Sequence, residues 1–230
     1  TQINGAPKWI RTSPKTALGY TYLAGGRFIS YSSSLGSETL IGTPTSGAGN
    51  GMEYYNNYMY LATPTNISRY GPLDGSATIT NTFWTGTLSL TALVNTTYPS
   101  TRNSVVLPNH VLHLHSDNKL YIMDYVNGQG LIHYIRTTRV TDQGDTNDGS
   151  TYNALDLPHG FLPTCAESFG SLLVIGTMQT TNATLNQGKS AIFFWDTISP
   201  SYNLMIWVPD PVLSAMKMIN GKLHIWSGSF

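Results

Sequence analysis

Two glutamates and one histidine occupy the same position in a pattern that the sequence repeats five times. Three residues before the start of each repeat, the chain carries Leu23, Glu53, His115, Glu167 and Met218. Carboxylates and an imidazole held at one height around a common axis could bind a metal ion or act as general acid and base. Such side chains could instead point between sheets and only form hydrogen bonds there. If the chain is an enzyme, Glu53, His115 and Glu167 are its predicted catalytic residues.

An acidic segment supplies a second candidate site. Asp142, Asp145, Asn147 and Asp148 fall within seven residues, with a glycine among them. Oxygen donors on a glycine-bearing loop suit Ca²⁺, although the spacing is not that of an EF-hand. The same residue types also form ordinary solvated connections between strands. Calcium binding at these four residues is therefore one hypothesis and a plain loop is the other; no other cofactor is expected.

Other chemistry has little support in the sequence. His113 and His115 share one face of a predicted strand because they are two residues apart. A zinc site needs further ligands, and the spacing supplies none. Cys165 is the single cysteine and lies in a predicted inner strand, where a thiol behaves as a small apolar group. The chain contains no Gly-x-Ser-x-Gly motif of the kind that presents a nucleophilic serine.

The elements that must position these residues are β-hairpins. Short runs rich in Tyr, Ile, Val, Phe and Trp are bounded by Gly, Asn, Asp and Pro, as is typical of strands. Gly and Asn at the boundaries tolerate the positive φ angles of tight hairpin turns. The turn signals are Gly25-Gly26, Asn56-Asn57, Asp117-Asn118, Phe169-Gly170 and Asn220-Gly221. They predict hairpins near residues 18–33, 51–63, 111–125, 165–177 and 213–228 of a single domain, 1–230.

The repeat spacing predicts the architecture. The starts of the repeats are 30, 62, 52 and 51 residues apart, and three of these spacings are near the 40–50 or so of a propeller blade. Third strands are predicted at 66–70, 131–136 and 191–196, and fourth strands at 81–84, 154–157 and 203–208. The chain therefore resembles β-propeller repeat proteins, although the Gly-His and Trp-Asp signatures of WD40 blades are missing. The resemblance implies four to five four-stranded blades; a β-sandwich is the alternative.

The first and last repeats leave two alternatives open. Trp9-Ile10-Arg11-Thr12 is similar to Tyr134-Ile135-Arg136-Thr137 in a predicted third strand. The beginning of the chain could therefore complete the last blade and close a five-bladed ring. Alternatively, the chain is part of a longer propeller whose last blade continues beyond it. We favour the second alternative.

The composition excludes several classes of function. The 230 residues carry 12 basic and 12 acidic side chains, so that only 10% are charged, while 40% are hydrophobic. Intrinsic disorder requires the opposite balance, and nucleic-acid binding requires a basic excess. No run of apolar residues is long enough for a membrane helix, so membrane insertion is not expected. Three glycosylation sequons begin at Asn66, Asn95 and Asn182.

The same composition suggests the kind of work that the chain does. Its strand-rich, charge-poor sequence, with much Thr, Ser and Asn, resembles the propellers of phage tail proteins and of other extracellular or virion-surface assemblies. The resemblance implies a structural or adhesive module that contacts other protein subunits or a surface glycan and carries no catalytic activity. The rival hypothesis is a carbohydrate-active enzyme, a glycosidase or a lyase, that uses carboxylates in a central channel.

Overall fold

The computed structural model describes twelve segments, and all of its regular elements are β-strands. The described residues are 7–12, 18–23, 28–32, 38–43, 51–62, 66–74, 76–84, 110–126, 128–136, 139–141, 154–179 and 189–228. The chain divides into two compact units, unit 1 (Thr1–Gly86) and unit 2 (Thr87–Phe230), where the sequence predicts a single domain. Among the described residues, no helix is long and apolar enough to cross a membrane.

Unit 1 contains two antiparallel sheets whose strands are neighbours in chain order. Sheet 1 consists of β1 (Pro7–Thr12), β2 (Leu18–Leu23), β3 (Phe28–Ser32) and β4 (Glu38–Gly42). Sheet 2 consists of β5 (Met52–Tyr55), β6 (Tyr58–Ala62), β7 (Ile67–Gly71) and β8 (Thr78–Trp84). Their facing sides share a core that includes Tyr20 and Phe28 of sheet 1 and Met52, Met59 and Leu61 of sheet 2.

Unit 2 contains two further antiparallel sheets. Sheet 3 consists of β9 (Val111–Leu114), β10 (Leu120–Val126), β11 (Gln129–Arg136), β12 (Arg139–Thr141) and β13 (Leu155–His159). β12 and β13 both pair with β11, at different parts of its length. Sheet 4 consists of β14 (Phe161–Phe169), β15 (Leu172–Gln179), β16 (Ser190–Trp195) and β17 (Leu204–Val208). A fifth hairpin follows, made of β18 (Val212–Ile219) and β19 (Lys222–Gly228), and a single residue pair joins it to β15.

Alternation along the strands of sheet 4 builds both cores of unit 2, because successive side chains of a strand point to opposite faces. Leu173, Ile175 and Phe193 face sheet 3, where they pack with Tyr121 and Met123. The residues between them in sequence face the other way. Val174 and Ile192 pack against Leu213 and Met216 of β18, with Leu223 of β19 alongside. β15 and β16, the central strands of this sheet, are therefore buried on both faces.

Two of the predicted hairpin turns have the backbone geometry that the sequence predicts, whereas Asp117-Asn118 lies within a longer connection, since Leu114 pairs with Leu120. The predicted turn at Gly25-Gly26 lies outside the described residues. Asn220 and Gly221 have φ angles of 50° and 74°, and Asn56 and Asn57 have φ angles of 47° and 71°. Both pairs form two-residue turns, because Ile219 pairs with Lys222 and Tyr55 with Tyr58. The fourth turn lies one residue later than predicted, at Gly170-Ser171, since Phe169 pairs with Leu172.

Two sequence expectations for the first repeat are wrong. Trp9 to Thr12 belong to β1, which pairs with β2 in sheet 1, so these residues do not complete the last blade. Leu23 ends β2, the second strand of its sheet, whereas the matching residues of the later repeats lie at first strands. The similar hairpin in sheet 1 is thus β2–β3 rather than the first pair. The pattern of apolar residues and turns is the same for either pair, which explains the misalignment.

Candidate functional site

The candidate site is a cluster of polar side chains on three strands of unit 2. β9 contributes His113 and, immediately after its end, His115; β14 contributes Glu167 and Ser168; and β18 contributes Lys217. β9 and β14 are the first strands of sheets 3 and 4, and β18 begins the fifth hairpin. We call these five residues the seam cluster, because they join the three strands. His115 is only 3% exposed and Glu167 only 8%.

One serine hydroxyl lies between the two imidazoles. Ser168 Oγ is 2.9 Å from His113 Nε2 and also 2.9 Å from His115 Nδ1. The other nitrogen of His115, Nε2, is 3.2 Å from the carbonyl oxygen of Ser171, which can only accept a hydrogen bond. Neutral His115 must therefore carry its proton on Nε2, and its Nδ1 accepts the hydroxyl proton of Ser168. Because Ser168 has a single hydroxyl proton, His113 Nε2–H must donate to Ser168 Oγ.

An ion pair joins the same part of β14 to β18. Lys217 Nζ lies 2.9 Å from Glu167 Oε2. The other oxygen, Glu167 Oε1, accepts a hydrogen bond of 3.1 Å from the backbone N–H of Ser168. The lysine side chain is 66% exposed and the glutamate side chain 10%. Both carboxylate oxygens of Glu167 are therefore engaged within the protein, which is a positioning role rather than that of a free acid or base.

The pKa of His113 is lowered from 6.5 to about 4. Burial is the largest cause, because removal from water penalises the charged form of the ring. The carboxylate of Glu167 opposes this effect, whereas positive charge on His115 and Lys217 adds to it. His113 is therefore neutral at pH 7.

The rim of the seam cluster is polar and exposed. The Ser116 hydroxyl donates a 2.8 Å hydrogen bond to the carbonyl of Gly170, so the end of β9 is tied to the turn after β14. Asp117 accepts a 2.7 Å hydrogen bond from the Tyr121 hydroxyl. Burial and this carboxylate together raise the pKa of Tyr121 well above its usual range. The loop that carries His115 is thereby fixed at both ends.

Glu53, the remaining predicted catalytic residue, lies on β5 in unit 1 and is not a member of the seam cluster. It pairs across the sheet with Tyr60, and Tyr60 pairs with Arg69. The guanidinium of Arg69 lies 4.6 Å from the ring centre of Tyr58 and 4.3 Å from that of Phe83. Burial raises the pKa of Tyr60 to about 12. Glu53 therefore borders a packed aromatic and cationic cluster.

The predicted calcium ligands Asp142, Asp145, Asn147 and Asp148 lie outside the described residues. Within the segments that the structure describes, no three His, Cys, Asp or Glu side chains are arranged to hold a metal ion.

The sequence missed Ser168. It lies one residue beyond the position that the repeat alignment selected, and no motif marks it. Ser168 directly follows Glu167, and His113 precedes His115 by two residues on the same face of its strand. Residues at matching heights on the first strands of adjacent blades approach one another. A comparison of the residues around His115 with those around Glu167 could therefore have found Ser168.

Two other singled-out residues are structural. Burial raises the pKa of the Cys165 thiol to about 12, so it is protonated at neutral pH and unreactive. Asn66, the first residue of one sequon, is 5% exposed, and its side-chain oxygen lies 3.3 Å from the Ser68 hydroxyl. A glycan at Asn66 is therefore incompatible with the folded sheet. Asn95 and Asn182 lie outside the described residues.

Comparisons with solved structures identify the architecture. The WD40 β-propeller domain of Doa1 matches 95% of this chain and 60% of its own chain, at 10% sequence identity and a TM-score of 0.52. The match to the β-propeller domain of Cps50 (Swd1) from Myceliophteria thermophila covers 98% of this chain and 64% of the Cps50 chain, at 10% sequence identity and a TM-score of 0.54. The match to the extracellular domain of a one-component system from B. thetaiotaomicron covers 100% of this chain and 27% of that protein's chain, at 12% sequence identity and a TM-score of 0.57.

These likenesses, together with the succession of antiparallel sheets along the chain, establish a β-propeller fold and confirm the architecture predicted from the repeat spacing. The chain spans less than two thirds of the length of each of these proteins. No protein-family model and no curated protein matches the sequence. At these identities the likeness extends to the fold alone, so function has to be argued from the residues.

Proposed function

We propose that the chain is an interaction module, a subunit of an extracellular or virion-surface assembly, and that another protein covers one face of its fifth hairpin. The observation that carries this proposal is the uncovered side of β18–β19. The residues on this side alternate along each strand with those that pack on sheet 4, and every one of them is exposed. They are Ala215, Lys217, Ile219, Lys222, His224 and Trp226, and we call them the hairpin face.

The hairpin face has the composition of a binding surface. Trp226 is 47% exposed and Ile219 40%. The rings of Trp226 and His224 lie side by side, with centres 6.3 Å apart. Large exposed apolar side chains rimmed by polar groups mark interaction sites, and tryptophan is the residue type most often found at the centre of protein interfaces. The ammonium group of Lys222 on the same face favours an acidic group on the partner.

A second set of exposed apolar residues lies on β17, the outermost strand of sheet 4. On β17, Leu204, Ile206 and Trp207 are all about half exposed, at 51%, 44% and 50%. The low overall charge of the chain is consistent with burial of such surfaces, since charged residues are depleted at the centres of protein interfaces.

The arrangement of carboxylates gives no support to the rival glycosidase hypothesis. That mechanism needs two carboxyl groups on either side of a sugar, one of them a free acid. Glu167, one of the candidate carboxylates, is held in an ion pair by Lys217. The proposal therefore assigns the chain a binding role.

The test places a photo-crosslinking amino acid at Trp226, with a matched control at exposed Lys189. In the native assembly, position 226 should give one saturable protein adduct that position 189 does not give. The substitution Lys222→Glu should weaken that adduct because it reverses a charge on the same face of the hairpin. A glycosidase-sensitive adduct would transfer the role to glycan binding. Adducts of equal yield at both positions, or none at 226, would refute the proposal.

A further inference from the structure

We propose that Ser168 is a nucleophile that accepts an acyl group from a small ester, with His115 as its general base. This inference is independent of the proposed binding role, because the seam cluster and the hairpin face are different sets of side chains apart from Lys217. It rests on the hydrogen-bond directions within the cluster.

The base is in contact with the nucleophile and is itself oriented. His115 Nδ1 lies 2.9 Å from Ser168 Oγ and accepts its proton, and His115 Nε2–H is held by the carbonyl of Ser171 at 3.2 Å. An activated serine needs two groups besides its own hydroxyl: a base within hydrogen-bond reach and a third group that fixes the tautomer of the base. His115 and the Ser171 carbonyl are placed to fill these roles. The Ser171 carbonyl also stabilises the positive charge that His115 acquires in the reaction.

The step balances within the cluster, an ester and water. Ser168 Oγ forms a bond to the ester carbonyl carbon while its proton moves to His115 Nδ1. The bond from that carbon to the alcohol oxygen then breaks, and His115 returns the proton to the leaving alcohol. Water, deprotonated by His115, attacks the acyl-serine in the same way and releases the acid, with the proton returning to Ser168.

His113 has the complementary role of a hydrogen-bond donor. In the free protein His113 Nε2–H donates to Ser168 Oγ at 2.9 Å. The negative oxygen of the tetrahedral intermediate forms on the carbon that becomes bonded to this Oγ, so the same N–H has only to turn from Oγ to reach it. The backbone N–H of Ser168 cannot serve as the donor, because it is bonded to Glu167. A neutral imidazole that donates to a developing negative charge is an established way to stabilise it.

The position of the cluster limits the ester to a small one. Ser168 is partly exposed, and the exposed residues Ser116 and Ser171 form the rim beside it. Behind it, His115 and Leu173 are buried between sheets 3 and 4. An acetyl or similarly short acyl group reaches Ser168 from the rim, whereas a branched or aromatic acyl group would have to separate the sheets.

The experiment measures acylation of the intact chain by p-nitrophenyl acetate and phosphonylation by a small fluorophosphonate, with intact-mass detection and peptide mapping. We expect a single adduct at Ser168 that is absent from Ser168→Ala and from denatured wild-type protein. His115→Gln retains an N–H for the Ser171 carbonyl but lacks the base, so acylation should be at least about 100-fold slower. His113→Gln retains a donor and should stay within about tenfold of wild type.

Ser214→Ala, at an exposed position of β18, is the control for serines outside the cluster and should leave the rate unchanged. Hydrogen exchange of residues 110–126 and 161–179 establishes that each variant retains its fold. The proposal is overturned if folded wild-type protein gives no adduct at Ser168, or if Lys217 alone is acylated. Equal rates for His115→Gln and wild type would also overturn it and leave Ser168 as a structural hydrogen-bonding residue.

Discussion

Acidification from pH 7 to pH 4 should destabilise unit 2 through His113. Its pKa is about 4 in the folded protein, against an ordinary value of 6.5. Between these pH values the unfolded chain binds a proton at His113 that the folded chain excludes. The stability that this group contributes is complete above pH 6.5 and is lost as the pH falls towards 4, because stability decreases with falling pH wherever the unfolded state binds more protons.

The magnitude follows from the two pKa values. They differ by about 2.5, and each pKa unit corresponds to about 1.36 kcal/mol, so His113 contributes at most about 3.4 kcal/mol. This is a large share of the 5–15 kcal/mol or so that stabilises a typical domain. The shift already includes the repulsion between charged His113 and positive charge on His115 and Lys217, and the opposing attraction of Glu167 and Asp117.

The assay compares wild type with His113→Gln in urea titrations between pH 7 and pH 4. Glutamine retains an N–H for Ser168 but cannot be protonated in this range, so its free energy of unfolding should depend less steeply on pH. Other groups titrate over the same range, and the difference between the two proteins isolates His113. His224→Gln, on the exposed hairpin face, is the control and should follow wild type. Parallel pH profiles for wild type and His113→Gln would refute the reasoning.

Two substitutions test the packing of sheet 4 by urea titration at pH 7. Thr177→Val removes a buried hydroxyl that donates a 2.8 Å hydrogen bond to the Ala191 carbonyl and accepts one of 3.3 Å from the Ala191 N–H. It should lower the free energy of unfolding by about 1–3 kcal/mol. The control Thr80→Val, at an exposed position, should lower it by less than about 0.5 kcal/mol. Gly176→Ala places a methyl group 2.6 Å from Cys165 Sγ and should cost about 1–3 kcal/mol. Gly228→Ala, with no neighbour within 4 Å, should be neutral, and equal costs at the two glycines would contradict the packing described.

Strand positions and turns could be predicted because their causes are local. Asn220-Gly221 requires positive φ, and the alternating apolar residues on either side can only be buried as a hairpin. The assignment of strands within sheet 1 could not be predicted in this way. β1–β2 and β2–β3 satisfy the same apolar pattern, and only the pairing of Trp9 with Tyr22 distinguishes them.

The candidate site was accessible from the sequence only in part. Alignment of the repeats selected His115 and Glu167, because equivalent positions of neighbouring blades lie at the same height. It also selected Glu53, which the structure places in the other unit. Alignment could not select Ser168, since its importance depends on which face of β14 is turned towards β9.

The sequence by itself therefore determined an all-β chain of repeated hairpins, because periodicity and turn residues act between neighbours in the chain. Its low charge, 12 basic and 12 acidic side chains, is not the composition of a disordered chain and disfavours nucleic-acid binding. Tertiary structure alone decided which side chains meet. Ser168 lies between His113 and His115, 55 and 53 residues away, and Glu167 meets Lys217 because β14 packs between β9 and β18. Contacts of this kind depend on how sheets stack, and no local pattern in the chain specifies that stacking.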